Sequence, residues 1–269
     1  MTASSKRPST PYSEFIEELA DAAGKAIMPH FRNSFDVENK VAGGFDPVTV
    51  ADKGGEEIMR KMINERYPEH GILGEEYGPE NLDAENVWVL DPIDGTRSFI
   101  TGMPTWGTLI GLKTNGKPSL GLMGQSYINE FYAGDTKSAW YSGPIGEKTL
   151  KTRSCGALSD AVLFTTTPAL FDQAEREAYD RIEEQVKLVR YGTDCYAYCM
   201  VAAGSADVVI ESGLQAYDIV ALIPIIEGAG GVVTNWAGGS AVDGGQVVAS
   251  GDPKLHEIVL KQLAQAART

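Results

Sequence analysis

The stretch Trp88-Val89-Leu90-Asp91-Pro92-Ile93-Asp94-Gly95-Thr96-Arg97 places two carboxylates directly after a β-favouring run. The run of residues 87–90 is apolar and leads into an acid, which predicts a buried strand with Asp91 at its carboxyl end. Catalytic groups of α/β sheets usually lie at that end. Pro92 has a fixed φ and no N–H, so we expect the chain to turn there and to bring Asp94 back beside Asp91.

Two carboxylates in so small a volume repel each other unless a cation neutralises them. Asp91 and Asp94 therefore predict a divalent metal held by oxygen ligands, with the Ile93 carbonyl as a third oxygen. Gly95 permits close backbone approach, and Thr96 stands at the predicted start of a helix, where N–H groups suit a phosphate. Taken alone, the stretch is equally compatible with a strand that ends in an ordinary Asp-Gly turn.

Four segments together resemble one known family. Residues 91–96 resemble the signature of the inositol monophosphatase superfamily of magnesium-dependent phosphatases. Residues 46–52, 74–76 and 217–221 are similar to three further motifs of that family, in the same order along the chain. The resemblance implies a layered α-β-α-β-α sandwich, an α+β or α/β fold, whereas the pattern of elements by itself indicates only a mixture of helices and strands. It also implies direct attack of water on phosphorus, without a phosphoenzyme.

The same resemblance implies the roles of individual residues. The implied metal ligands are Glu75, Asp91, the Ile93 carbonyl, Asp94 and Asp218. Asp52 and Thr96 are the implied catalytic pair, which polarises the attacking water. Hard oxygen ligands without His or Cys favour Mg²⁺, as two or three ions, with Mn²⁺ as a possible substitute. An acid at position 52 is also compatible with simple stabilisation by the dipole of the helix that begins there.

The substrate is indicated by three segments that look like the histidinol-phosphate phosphatase branch: residues 97–100, 105–112 and 190–198. This implies a phosphomonoester that carries an ammonium and an imidazole, for which Asp194 or Glu211 is a suitable partner. Arg97 and Arg190 are candidates for the phosphate or for orienting those acids, although an ordinary ion pair explains either arginine equally well. The complete expected substrate-binding set is Gly95, Thr96, Arg97, Arg190, Asp194 and Glu211.

Three alternative functions stay open at this point. Inositol 1-phosphate is one alternative substrate, because Glu211 also matches a substrate contact of the inositol enzymes. Adenosine 3′,5′-bisphosphate is another, but it requires more cationic surface than the sequence offers. The third is a regulatory module that binds metal or phosphate without turnover, and such a module would not need groups that activate water, such as Asp52 and Thr96.

Size and composition limit the remaining possibilities. The chain has 269 residues, 43% of them hydrophobic, which is enough for a substantial core. Its formal charge of −14 argues against nucleic acid or an anionic membrane as the main partner. We expect residues 1–11 to be a flexible terminus, residues 12–145 to carry most metal ligands, and residues 146–269 to carry Asp218 and the specificity residues. The family resemblance implies a homodimer.

The cysteines indicate the cellular compartment. Three cysteines provide no even-numbered disulfide framework, so we interpret Cys155, Cys195 and Cys199 as reduced, buried thiols of a cytoplasmic protein. No apolar run reaches about 18 residues, and the basic residues near the N-terminus are not followed by the apolar stretch of a secretory signal.

Hydrophobic periodicity places the regular elements along the chain. Helices are predicted at residues 12–31, with Ser13 as the N-cap, and at 50–66, 171–185, 195–203, 218–228 and 253–266. Strands are predicted at residues 37–41, 71–74, 87–90, 105–113, 119–127, 129–133, 138–141, 161–165, 187–190, 207–211, 231–234 and 247–250. The Asn115-Gly116 dipeptide predicts a hairpin between the fourth and fifth of these strands.

Overall fold

The computed structural model describes residues 10–33, 37–39 and 47–268, with the backbone alone described at 37–39 and 47–49. The α-helices within these residues are α1 (Ser13–Ile27), α2 (Val50–Arg66), α3 (Thr96–Ile100), α4 (Gln173–Glu183), α5 (Cys195–Ala202), α6 (Ala216–Ile219), α7 (Leu222–Gly228) and α8 (Pro253–Leu263). The strands are β1 (Val37–Asn39), β2 (Pro47–Thr49), β3 (Gly71–Gly74), β4 (Gly78–Glu80), β5 (Asn86–Asp94), β6 (Gly107–Thr114), β7 (Lys117–Gln125), β8 (Glu130–Gly134), β9 (Ala139–Gly143), β10 (Gly146–Thr149), β11 (Val162–Thr165), β12 (Leu188–Tyr191), β13 (Val208–Leu214), β14 (Val232–Asn235) and β15 (Gly245–Ser250).

Two sheets carry most of the strands. The larger has eight strands in the order β10-β9-β8-β7-β6-β5-β3-β4, and the smaller has five in the order β12-β11-β13-β15-β14. In the larger sheet β5 is parallel to β3 and antiparallel to β6. In the smaller sheet β11 is parallel to both β12 and β13. The carboxyl ends of β3 and β5, and those of β11 and β13, therefore lie at common edges of their sheets.

The alternation of side chains along the strands shows how the layers stack. On one face of the larger sheet Ile110 packs in a core with residues of α1 and α2, while its neighbour Leu109 belongs to a second core with α5 and α7. On the smaller sheet Val209 faces that second core, and Val208 faces a third core with α4 and α8. Two outer helical layers, two sheets and an intervening helical layer thus form an α-β-α-β-α sandwich, as predicted.

Helix α5, in the middle layer, is buried on all sides because it lies between the two sheets. In α5 the buried residues include Cys195, Ala197, Cys199 and Val201, and none of these is more than 2% exposed. Cys155 is 7% exposed, and all three thiols are free. The predicted burial of the cysteines is confirmed.

Several predicted element boundaries are wrong for identifiable reasons. The N-cap of α1 is Tyr12 instead of Ser13, and the Ser13 hydroxyl accepts the Thr10 N–H at 3.0 Å. The helix predicted over residues 218–228 is two helices, α6 and α7, because Pro224 has no N–H to donate to the carbonyl four residues earlier. The helix over 12–31 ends as a 3₁₀ turn at Met28–His30.

Three strands, β2, β4 and β10, escaped the sequence prediction. The short strands β4 and β10 contain mostly exposed residues and no apolar alternation, so no hydrophobic pattern predicts them.

The expected division of the chain between residues 145 and 146 falls just before β10, which pairs with β9. The division into two halves stays a prediction. The expected flexible terminus, apart from residues 10 and 11, lies outside the described residues, as do positions 40 and 41 of the first predicted strand. Within the described part of the chain no helix is both long and apolar enough to span a bilayer.

Candidate active site

Strand β5 delivers the first two acids by a bulge instead of a turn. The ladder with β6 pairs Asp91 with Leu109 and Asp94 with Gly107, and its register shifts between these pairs. The chain stays extended through Pro92, whose fixed φ is compatible with a strand and whose missing N–H is tolerated at a bulge. Asp91 Oδ1 accepts the N–H of Ile93 at 3.0 Å. The predicted turn at Pro92 is therefore wrong, although both carboxylates reach the same place.

The third acid of the cluster arrives from the C-terminal half of the chain. Oxygen atoms of Asp91, Asp94 and Asp218 all lie within 4.8 Å of one another. Asp218 lies in the first turn of α6, and its Oδ2 accepts the Gln215 N–H at 2.6 Å in a capping box. Asp94 Oδ2 accepts the N–H of Cys195, at the start of α5, at 2.7 Å. Together with the Ile93 N–H bond to Asp91, backbone donors therefore hold all three carboxylates in place.

Burial and mutual repulsion make the cluster electrostatically unfavourable without a cation. The pKa of Asp91 is raised well above its usual value, mainly by burial and then by the charges of Glu75, Asp94 and Asp218. Burial and the nearby charges of Asp194 and Asp218 do the same to the pKa of Asp94. Burial raises the pKa of Asp218 to about 7. A divalent ion would offset this repulsion, and a set of carboxylate oxygens suits Mg²⁺.

Two further predicted oxygens lie next to the cluster. The Glu75 N–H donates to the Leu90 carbonyl at 3.1 Å, which ties the end of β3 to the residue before Asp91. The Glu75 charge raises the pKa of both Asp91 and Asp218, so this side chain faces the cluster. The Ile93 carbonyl accepts the Thr96 hydroxyl at 3.2 Å. The oxygen ligands that the sequence predicted therefore lie together in one place. Their role in binding metal is still a prediction.

The predicted catalytic pair lies around the same acids. Asp52 is in the first turn of α2, is 1% exposed, and is one of the charges that raise the pKa of Asp91. Thr96 is the first residue of α3 and is joined to Ile93 by the bond described above. Asp46, at the start of the motif that contains Asp52, lies outside the described residues, as does Lys40.

Asp194 occupies a strained backbone position beside Gly95. Its φ of 44° and ψ of −136° are rare for a residue with a side chain, and such strain is concentrated at functional sites. Gly95 has a φ of 85°, and a Cβ built on it would lie 2.8 Å from Asp194 Oδ2. The Ser98 hydroxyl donates to Asp194 Oδ2 at 2.7 Å. Burial raises the pKa of Asp194, while the Ser98 bond and the Arg97 charge lower it.

A small cavity of about 20 Å³ opens beside the acidic cluster. Its lining residues are Asp94, Thr166, Asp194, Cys195, Tyr198, Glu211, Leu214, Asp218 and Leu222. Glu211 lies on β13, is 4% exposed, and accepts bonds from Thr165 Oγ1, Thr166 N and Thr166 Oγ1 at 3.3, 2.5 and 3.0 Å. Burial raises the pKa of Glu211 to about 7, against the lowering effect of these bonds.

Not every predicted substrate contact reaches this cavity. Arg190 is exposed on β12, an edge strand, and is not among the lining residues. Arg97 is exposed on α3 but acts on Asp194 through its charge. Asp194 and Glu211 do line the cavity, whereas the contribution of Arg190 is a prediction to which the geometry adds nothing.

Sequence analysis missed several residues that organise the site. Glu56 is buried on α2 and accepts the N–H groups of Glu76 and Tyr77 at 2.7 and 3.2 Å, which fixes the chain after Glu75. Its spacing of four residues from Asp52 on a predicted helix was the available signal, because such residues share one helix face. The Cys195 N–H gave no signal in advance, because its partner is an acid about a hundred residues away.

Comparisons with known proteins identify the family. The sequence profile of the inositol monophosphatase family matches residues 9–268. The chain belongs to the inositol monophosphatase family. The family prediction made from four motifs is therefore confirmed, and the protein is a phosphatase of this family.

The individual relatives that resemble this chain are named for different activities. The chain is 46% identical over 256 residues to the bifunctional phosphatase IMPL2, chloroplastic, of Arabidopsis thaliana, covering 91% of this chain and 72% of that protein. It is 32% identical over 262 residues to the histidinol-phosphatase of Chlorobaculum parvum, covering 96% and 99%. The structure of an inositol monophosphatase from Zymomonas mobilis matches with a TM-score of 0.84 and 38% identity, covering 95% and 100%. The predicted layered fold is thus confirmed.

Proposed function

We propose that the protein is a Mg²⁺-dependent phosphatase that hydrolyses L-histidinol phosphate to L-histidinol and phosphate, a step of histidine biosynthesis. The observation that carries the proposal is the acidic cavity next to the cluster of Asp91, Asp94 and Asp218. Of the nine lining residues that the structure describes, four are acids and none is Lys, Arg or His. Two of the four, Asp194 and Glu211, are not among the predicted metal ligands. Such a cavity favours a leaving group that carries positive charge. The similarity to a histidinol-phosphatase supports the same substrate.

The proposed mechanism assigns one task to each group. Asp91, Asp94, Asp218, Glu75 and the Ile93 carbonyl would hold Mg²⁺, in the two or three ions expected, with Mn²⁺ as a substitute. When bound, Mg²⁺ neutralises phosphoryl charge and acidifies water. Asp52 and Thr96 orient the attacking water, and the Asp52 carboxylate accepts its proton. The N–H groups of Gly95 and Thr96 and the Arg97 side chain bind the phosphoryl group, and Asp194 and Glu211 bind the cationic leaving group.

Inositol 1-phosphate is the second candidate substrate. It is favoured by the similarity to the Zymomonas mobilis inositol monophosphatase and by Glu211, whose carboxylate can accept bonds from ring hydroxyls. Adenosine 3′,5′-bisphosphate is disfavoured because its second phosphate would meet the acids of the cavity. A regulatory module without turnover is disfavoured by the burial of Asp52 near Asp91, since binding alone does not require a proton acceptor there.

Phosphate release from the purified protein tests the proposal. With Mg²⁺ we expect kcat/KM for histidinol phosphate to exceed that for inositol 1-phosphate, and we expect no turnover in chelator. Asp194→Asn should raise KM for histidinol phosphate and leave KM for the uncharged ring of inositol 1-phosphate nearly unchanged. Faster turnover of inositol 1-phosphate, or equal effects of Asp194→Asn on both substrates, would contradict the assignment.

Location and assembly are part of the same proposal. The three free, buried thiols support a reducing compartment, so we place the protein in the cytoplasm. We expect a homodimer, which light scattering or sedimentation of the purified protein would measure.

A further inference from the structure

Tyr198 carries a hydroxyl for which the described residues offer no acceptor. The residue lies on α5 and is 4% exposed, and its Oη is a buried oxygen that forms no hydrogen bond within the described chain. A buried hydroxyl without a partner destabilises the folded state, so a Phe would be the better residue for packing alone. The indole N–H groups of Trp106 and Trp140 are also buried without a partner in the described part of the chain, so the location of the Tyr198 hydroxyl decides whether it has a function.

The position of Tyr198 indicates a function. It lines the cavity beside the acidic cluster, together with Glu211 and Asp218. The charges that act most strongly on its phenol, after burial, are those of Glu211, Asp94 and Asp218, which all line the same cavity. A phenol keeps its proton at neutral pH, so the Tyr198 hydroxyl, which lines the cavity, is available as a donor.

Glu211 provides the complementary acceptor. Its carboxylate already takes bonds from Thr165 and Thr166, which hold it in a fixed orientation, and a carboxylate can accept about four in all. A fixed donor and a fixed acceptor therefore face one small space. That arrangement suits a ligand with an N–H or O–H group next to a lone pair, such as an imidazole or a diol.

We propose that Tyr198 is a specificity-determining residue, whose hydroxyl donates a hydrogen bond to an uncharged nitrogen or oxygen of the leaving group while Glu211 accepts one from it. This inference rests on the proposed phosphatase function and adds to it the recognition of the leaving group. A site that hydrogen-bonds its substrate in this way discriminates strongly against substrates that lack the group.

The chain offers a matched control on the same helix. Tyr196 Oη donates to Glu130 Oε2 at 3.1 Å, and Tyr196 does not line the cavity. Tyr196→Phe removes a satisfied bond, so it should lower the free energy of unfolding without changing substrate preference. Tyr198→Phe removes an unsatisfied hydroxyl, so it should leave the free energy of unfolding unchanged or raise it.

The test compares kcat/KM for histidinol phosphate and for phenyl phosphate, whose leaving group has no atom to accept the bond beyond the ester oxygen. For Tyr198→Phe we expect a loss of about 10- to 100-fold on histidinol phosphate and little change on phenyl phosphate. For Tyr196→Phe we expect the ratio of the two values to equal that of the wild type. An unchanged ratio in Tyr198→Phe, whatever its absolute rates, overturns the inference.

Failure of the proposed substrate would be separately visible. If the wild-type protein prefers inositol 1-phosphate, the histidinol phosphate proposal fails, and the same ratio is then measured with inositol 1-phosphate against phenyl phosphate. A selective loss in Tyr198→Phe on the preferred substrate still supports the role of Tyr198, and an equal loss on both substrates refutes it.

Discussion

Replacing Asp218 by Asn should stabilise the metal-free protein while it abolishes activity. Burial, and the charge of Glu75 next to it, raise the pKa of Asp218 from 3.8 to about 7. A shift of this size means that folding disfavours the charged form of Asp218, relative to the neutral form, by about 4 kcal/mol. Because the neighbouring acids titrate together with Asp218, we expect Asp218→Asn to gain about 2–4 kcal/mol in the free energy of unfolding at pH 8. The amide oxygen can still accept the Gln215 N–H.

The pH dependence of this gain has a definite sign. An acid whose pKa is raised in the folded state destabilises the fold where it is ionised, so the gain is complete above pH 7. It shrinks as the pH falls below 7 and disappears near 3.8, where the unfolded chain is also protonated. With saturating Mg²⁺ the wild type is stabilised by ion binding. The difference in free energy of unfolding between Asp218→Asn and the wild type should then shrink or change sign.

Urea unfolding followed by tryptophan fluorescence provides the assay, because Trp88, Trp106, Trp140 and Trp236 are at most 2% exposed. Asp172→Asn is the control: Asp172 also caps a helix, but the Glu175 N–H and Arg268 lower its pKa, so its loss should destabilise the fold at pH 8. The reasoning is wrong if Asp218→Asn in chelator is less stable than the wild type at pH 8, or if its effect does not change with pH.

Three further substitutions test separate parts of the structure. Asp52→Asn should lower kcat by about 10²–10⁴-fold and leave the Mg²⁺-induced shift in Tm intact; a retained kcat would exclude Asp52 as the base. Gly95→Ala should lower the free energy of unfolding by about 1–2 kcal/mol, because a residue with a Cβ is strained at the φ of 85° found there. The added Cβ should also displace Asp194 and so raise KM. Gly116→Ala is the control for this change, because it has a similar φ and nothing within 4 Å of the added Cβ; equal KM values in the two variants would refute the contact with Asp194. Burial lowers the pKa of His256 from 6.5 to about 4. As the pH falls from 6.5 to 4, the free energy of unfolding should therefore decrease by about 3 kcal/mol more in the wild type than in His256→Gln. Urea unfolding measures this difference, and parallel pH profiles of the two proteins would contradict the prediction.

The local part of the site was readable from the sequence. Asp91, Ile93 and Asp94 lie within four consecutive residues, so any compact path of the backbone brings their oxygens close together. The helical spacing of α2 and the apolar run of β5 likewise reflect periodicities of adjacent residues. Motif order, through family resemblance, extended this local information to Glu75, Asp52 and Asp218.

Tertiary packing decided what no periodicity encodes. The strained backbone of Asp194 exists because Gly95 leaves room for its carboxylate and Ser98 holds it. Arg190 belongs to the same segment as Asp194, yet its strand lies at a sheet edge and leaves it exposed outside the cavity. The Cys195 N–H reaches Asp94 only because α5 is enclosed between two sheets. Sequence patterns contain information about residues that are close together along the chain. Whether carboxylates and hydrogen-bond donors from distant segments come into contact depends on how the layers pack.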